Sequence, residues 1–238
     1  MKQTTLKNYA KLIVRVGANV QKGQEVVIRA SLDQPRFVEF VADECYKAGA
    51  KRVVVDWEHT PLAKLAYRHE TLKTLSTVTD YEEARLNYRA EHLPAMIYLL
   101  SRDPDGMNGV NMEKMSKALR ATTKISKPYR DRMDQRYQWC IAAVPGEKWA
   151  KKVFPDERKS VAMEKLWEAI LLCSRCDEDP IKAWEDHNAD LAKRCEYLNS
   201  LGIKELIYKS SNGTDFKVGM NEEGIFLGGA HETLSGVL

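Results

Sequence analysis

The chain has 238 residues, is 44% hydrophobic and 30% charged, and carries a formal net charge of +3, too small to imply nucleic acid or an acidic membrane as an obligatory partner. No apolar run approaches the ~20 residues that span a bilayer, and the N-terminus lacks the apolar core of a signal peptide. Five cysteines, Cys45, Cys140, Cys173, Cys176 and Cys195, are an odd number that argues for reduced thiols in a cytoplasmic setting.

Leu6, Tyr9, Ala10, Ile13 and Val16 share a helical face, predicting an opening amphipathic helix capped at Thr4 or Thr5 and stopped at Gly17. Glu25–Ala30 and Arg52–Trp57 are β-branched runs of the kind a sheet covered on both faces requires. Between them Pro35 suits a first helical turn. Phe37, Val38, Phe40, Val41 and Cys45 form an apolar stripe, and Gly49 can close the helix in a left-handed conformation. The stretch is a strand, crossover helix and parallel strand, which places the chain in the α/β class with a mostly parallel, Rossmann-like sheet flanked by helices.

Helices are predicted over Leu62–Leu75, after a Thr60 cap, and Tyr81–Glu91, after an Asp80 cap. Ala95–Ser101 is a third buried strand, followed by a turn-rich loop, Arg102–Gly109. Asn111 to Asp134 is polar and helical in propensity, and Tyr137–Val144 is a fourth strand stopped by Pro145-Gly146. A short helix at Glu147–Val153 precedes two long ones, Asp156–Cys176 and Pro180–Leu201, the second capped by Asp179 and ended by Gly202. Ile203–Tyr208 is a fifth strand. Beyond Ser210, Asn212–Met220 and Gly224–Gly229 alternate and turn like antiparallel strands, and Ser235–Leu238 opens another. Residues 1–210 are therefore expected to form an N-terminal α/β domain, and residues 211–238 the incomplete beginning of a β-rich one.

Chemistry is sparse. Ser31-Leu32-Asp33-Gln34-Pro35 has neither a Gly-x-Gly-x-x-Gly cradle nor a Walker lysine, and Asp33 repels phosphate, so a structural βα turn is preferred to a dinucleotide site. Cys173 and Cys176 have metal-ligand spacing but no second pair, and they sit late in a helix. His187 and Asp190 share one helical face with Trp184. His69-Glu70 and His231-Glu232 do not continue to a second histidine, so packing or surface roles are preferred. The basic run from Lys114 to Arg136, with Tyr129 and Tyr137, reads as a solvated helix face before it reads as a nucleic-acid surface.

Three segments carry a resemblance: Trp149-Ala150-Lys151-Lys152-Val153-Phe154-Pro155, Asp179–Asn188 and Gly213-Thr214-Asp215-Phe216-Lys217-Val218-Gly219. In order and spacing they resemble the metallo-aminopeptidase family that includes aminopeptidase T, aminopeptidase S and aminopeptidase II of thermophilic bacteria. The resemblance implies removal of N-terminal residues from peptides with broad specificity, by a pair of divalent ions (zinc, cobalt, manganese or magnesium) that activate water and polarise the scissile carbonyl. It also implies a homodimer, and an α/β domain ahead of the catalytic one. The ligands that it implies lie in that second domain, past Leu238. Glu232 is too early for the first of them and His231 sits in a glycine-rich lead-in, so no catalytic, cofactor or metal residue is carried onto this chain. The expectation is an N-terminal portion that is truncated and inactive alone, in which Trp149 and Trp184 are packing residues.

A non-catalytic α/β binding module is the alternative. Its ligand would sit beyond the carboxyl ends of the strands, near Asp33, Glu58, His59, Arg102 and Asp103.

Overall fold

A computed structural model describes residues 1–176 and 179–237. They divide into two compact units, Met1–Pro180 with Glu232–Leu238, and Ile181–His231.

In the first unit, helix α1 (Gln3–Leu12) runs into a π-helical turn (Ile13–Gly17) and leads to strand β1 (Glu25–Ser31). Lys2 rather than Thr4 or Thr5 is the N-cap residue, and Ala18 follows the turn. Helix α2 (Pro35–Lys47) has its proline in the first turn, buries Phe37, Val38, Val41 and Cys45, and is closed by Gly49 at φ 96°. Phe40 of the same stripe lies under the Lys7 ammonium, 5.7 Å from its ring centre. Strand β2 (Arg52–Glu58), helices α3 (Thr60–His69), α4 (Leu72–Leu75) and α5 (Asp80–His92), and strand β3 (Ala95–Leu100) follow. The remainder is α6 (Met112–Met133), β4 (Trp139–Ala143), α7 (Glu147–Val153) and α8 (Lys159–Cys173).

The four strands form one parallel sheet in the order β2-β1-β3-β4, with Ile28 opposite both Val55 and Ile97. Central position explains the near-complete burial of Val26, Ile28 and Ile97. The valine run of β2 promised the same burial, but β2 is an edge strand and leaves Val54 and Trp57 more than two-fifths exposed. Hydrophobic pattern cannot separate an edge from a centre, because the partner strand is distant in sequence. Tyr9 of α1, Phe37 of α2 and Trp167 of α8 meet with ring centres 5.3–6.3 Å apart. Burial pushes the Tyr9 hydroxyl up to about 12, although it hydrogen-bonds to Ser174 and to the Ala143 carbonyl.

Local chemistry shifted several boundaries. The single helix expected over Leu62–Leu75 is two, because Thr71 caps a new start by accepting from the Thr74 amide at 3.1 Å. Thr79, not Asp80, caps α5 through a reciprocal box with Glu82, and His59, not Thr60, precedes the first helical residue of α3. The helix predicted from Asp156 starts at Lys159, since Lys151 holds the Pro155 and Glu157 carbonyls at 2.6 Å and keeps that turn open.

The second unit holds most of helix α9 (Pro180–Ser200) and a hairpin of β5 (Glu205–Lys209) and β6 (Asp215–Gly219). The expected fifth strand exists, but it pairs antiparallel with β6 in a separate two-stranded sheet. The tight turn decides this: Asn212 Oδ1 accepts from the Thr214 amide and hydroxyl, and Gly213 takes φ 95°. Gly224–Gly229, read as a strand, is irregular instead. Asn199 of α9 holds it by donating to the Phe226 carbonyl and accepting from the Phe226 amide at 2.7 Å. The strand expected to open at Ser235 is a turn closed by Thr233 and Val237, and Leu238 lies outside the described residues.

Candidate functional site at the carboxyl edge of the parallel sheet

In an open parallel sheet, ligands bind outside the carboxyl ends of the strands where the strand order reverses. Here the chain leaves β1 toward β2 on one side and returns to β3 on the other, so the reversal lies between β1 and β3. Ser101, just past β3, donates to Asp33 Oδ2, just past β1, at 2.9 Å. Gly146, after β4, lies against both: a Cβ there would be 2.6 Å from Asp33 Oδ2, 2.8 Å from Ser101 Oγ and 3.0 Å from the Ser101 carbonyl. Gln34 Nε2 ties the turn to the Pro145 carbonyl.

The ends of the three strands are therefore tied together here, with Ser101 and Gly146 buried and Asp33 exposed. Partial desolvation at the strand ends raises the exposed Asp33 carboxyl above its ordinary value, the Ser101 hydroxyl, the Asp33 amide and the His59 ring oppose that rise, and Glu147 adds to it. A carboxylate ahead of α2 also meets the positive helix end that a phosphate would use.

Glu58 pairs with Arg29 of β1 through Oε1 and with Arg102 through Oε2 at 3.5 Å. His59 is the N-cap residue of α3 but its side chain makes no capping bond, while Asp103 Oδ1 accepts from the Asp105 amide at 3.0 Å. Asp33 and Glu58 thus each have protein partners, and the His59 ring is close enough to Asp33 to act on its carboxyl. Ser101, Gly146, Gln34 and Arg29 were not singled out from the sequence. The Pro145-Gly146 stop after β4 was the available signal.

Metal chemistry requires convergent donors. Among the described residues no three His, Cys, Asp or Glu side chains group to hold an ion. Cys173 is exposed and Cys176 buried. His187 packs edge-on against Trp184 at 5.4 Å, and Asp190 pairs with Arg194 rather than with His187. His92 stacks on Tyr88, its Nδ1 2.9 Å from the Tyr88 carbonyl. The described residues do not fit a two-metal centre. Several groups of the basic helix are engaged: Lys117 pairs with Glu113, Lys127 with Asp131, and Tyr129 donates to Glu83 of α5.

The family described as thermophilic metalloprotease (M29) matches residues 2–238. The chain belongs to the M29 metalloprotease family. It is 33% identical over 234 residues to aminopeptidase 2 of Geobacillus stearothermophilus, covering 98% of this chain and 56% of that protein. It is 34% identical over 237 residues to aminopeptidase T of Thermus thermophilus, covering 98% and 57%. The solved structure of wild-type AmpT from Thermus thermophilus superposes with a TM-score of 0.88 at 30% identity, covering 98% of this chain and 58% of that one. The chain spans a little over half the length of these relatives.

The segments that carry the M29 resemblance have structural work in this chain. Trp149–Pro155 is α7 and its exit, with Ala150 fully buried and Lys151 closing the turn. Asp179–Asn188 opens α9, and Gly213–Gly219 is the hairpin turn and β6.

Proposed function

We infer that this chain supplies the α/β scaffold of a metal-dependent aminopeptidase, a hydrolase that releases N-terminal residues from peptides with broad specificity. The observation that carries it is the M29 match over residues 2–238, together with relatives named aminopeptidase that align with 98% of the chain. The family implies divalent ions, zinc, cobalt, manganese or magnesium, which activate water and polarise a carbonyl. The described residues do not offer their donor set, so no catalytic step is assigned to them. In this proposal residues 1–210 are the scaffold domain and residues 211–238 open the catalytic one. The chain does not hydrolyse peptides alone, and the assembled enzyme is a cytoplasmic homodimer.

Two experiments test it. Assayed with aminoacyl-nitroanilides in each of the four metals, the 238-residue chain is expected to show no turnover above a metal-free control; turnover would overturn the scaffold role. Substituting the chain for the matching part of Thermus thermophilus aminopeptidase T is expected to give a folded, active peptidase. A folded chimera without activity would count against the assignment.

A further inference from the structure

A cavity of about 300 Å³ opens between α3 and the loop that leads into α6. Three of its lining side chains are cationic, Lys64, Arg68 and Lys114, and no acidic residue lines it. Lys64 and Arg68 sit four apart on α3 and share a face with Tyr67. Neither cation has an ion pair or hydrogen bond among the described residues. Like charges held together without a counter-charge repel one another, so the arrangement favours an anion between them.

The third cation is already in place. Lys114 Nζ donates to the carbonyls of Tyr67, at 2.8 Å, and Glu70, where α3 ends. An ammonium has three donors, so one remains for a ligand, and the side chain is ordered before the ligand arrives. The loop is fixed as well, through amide-to-carbonyl bonds from Gly106 to Asp103, Asn108 to Asp105 and Val110 to Met107, and through the Asp105–Lys152 ion pair at 2.7 Å. The far wall is the first turn of the 22-residue helix α6, where Asn111 caps the Lys114 amide and the earlier amides remain open. Glu113 in that turn is drawn off by Lys117 at 2.6 Å.

We propose that this cavity is an anion site for a phosphoryl group, taken as free phosphate or as a small phosphomonoester, with Arg68, Lys64 and Lys114 as its ligands. A dianion answers three cations better than a single carboxylate does, and the planar guanidinium matches two phosphoryl oxygens. The volume lies at the lower end for small-molecule sites, and Tyr67 and Val110 give limited apolar wall, so the organic body is small. The proposal does not rest on the peptidase assignment.

Isothermal titration of the whole chain with inorganic phosphate and with phenyl phosphate, sodium chloride being adjusted to constant ionic strength, tests it. Saturable one-to-one binding of at least one of them is expected, together with shifts of the Gly109 and Asn111 amide resonances. Tighter phenyl phosphate binding identifies an ester site, and equal or tighter inorganic phosphate binding identifies a free-phosphate site. Lys64→Gln with Arg68→Gln, which removes no hydrogen bond of the fold, should leave the melting temperature unchanged and weaken binding by tenfold or more. Lys22→Gln, elsewhere on the surface, should not weaken it. Absence of saturable binding to both probes, or full affinity in the folded double variant, would overturn the proposal.

Discussion

Ser101 Oγ donates to Asp33 Oδ2 at 2.9 Å and so joins the ends of β1 and β3 across the reversal in strand order. The raised Asp33 carboxyl titrates at a higher pH folded than unfolded. The unfolded chain therefore loses this proton first, and stability falls as pH rises from the ordinary value of 3.8 through the folded one. Asp33→Asn keeps an acceptor for Ser101 and removes the titration. Its stability relative to the native chain should rise between pH 3 and pH 7, read from urea midpoints at each pH.

Gly146→Ala should unsettle the same junction. Its Cβ would stand 2.6 Å from Asp33 Oδ2, 2.8 Å from Ser101 Oγ and 3.0 Å from the Ser101 carbonyl oxygen, so both side chains have to turn, their hydrogen bond is disturbed and the end of β3 has to give. Overpacking of this kind costs about 1–3 kcal/mol. Calorimetry should show a lower Tm, with roughly 2–4 °C lost for each kcal/mol.

Thr79→Ala removes half of the capping box of α5 and should cost about 1 kcal/mol by denaturant titration at neutral pH. Bonds from the Thr79 amide and hydroxyl hold the Glu82 carboxyl below its usual range. Its contribution is present above the unfolded value of 4.5 and is lost as pH falls through the folded one. The native chain should consequently lose this part of its stability in acid.

Trp167→Ala opens the aromatic cluster with Tyr9 and Phe37, whose rings lie 6.3 and 5.3 Å away. Loss of a buried tryptophan costs about 3–5 kcal/mol, so this variant should be the least stable of the set in chemical denaturation.

Asn199→Ala acts in the second unit. It removes both bonds to Phe226 without touching the α/β sheet, so amide exchange at Phe226 should quicken while exchange at Ile28 and Ile97 stays slow.

Much of the fold was legible because its signals are local. The apolar stripe of α2, Pro35 at its start and Gly49 at its end all act within one helix, and the β-branched runs on either side name parallel strands. Caps were harder. Thr79 and Asp80 are both good cap residues, and only the return bond from Glu82 chooses between them. The hairpin was misplaced because Asn212-Gly213 turns the chain straight back on Ile203–Tyr208, whereas alternation alone made Gly224–Gly229 an equal candidate.

By itself, the sequence determined the α/β class, most helices and the family resemblance, since each rests on residues that are neighbours along the chain or on motifs in fixed order. Tertiary structure alone decided that β2 is an edge, that Asp33, Ser101 and Gly146 meet at the ends of β1, β3 and β4, and that Lys64, Arg68 and Lys114 line one cavity. Asp33, Ser101 and Gly146 lie tens of positions apart, as does Lys114 from the α3 pair Lys64 and Arg68, and only the packing of the parallel sheet and its helices brings their side chains within reach of one another.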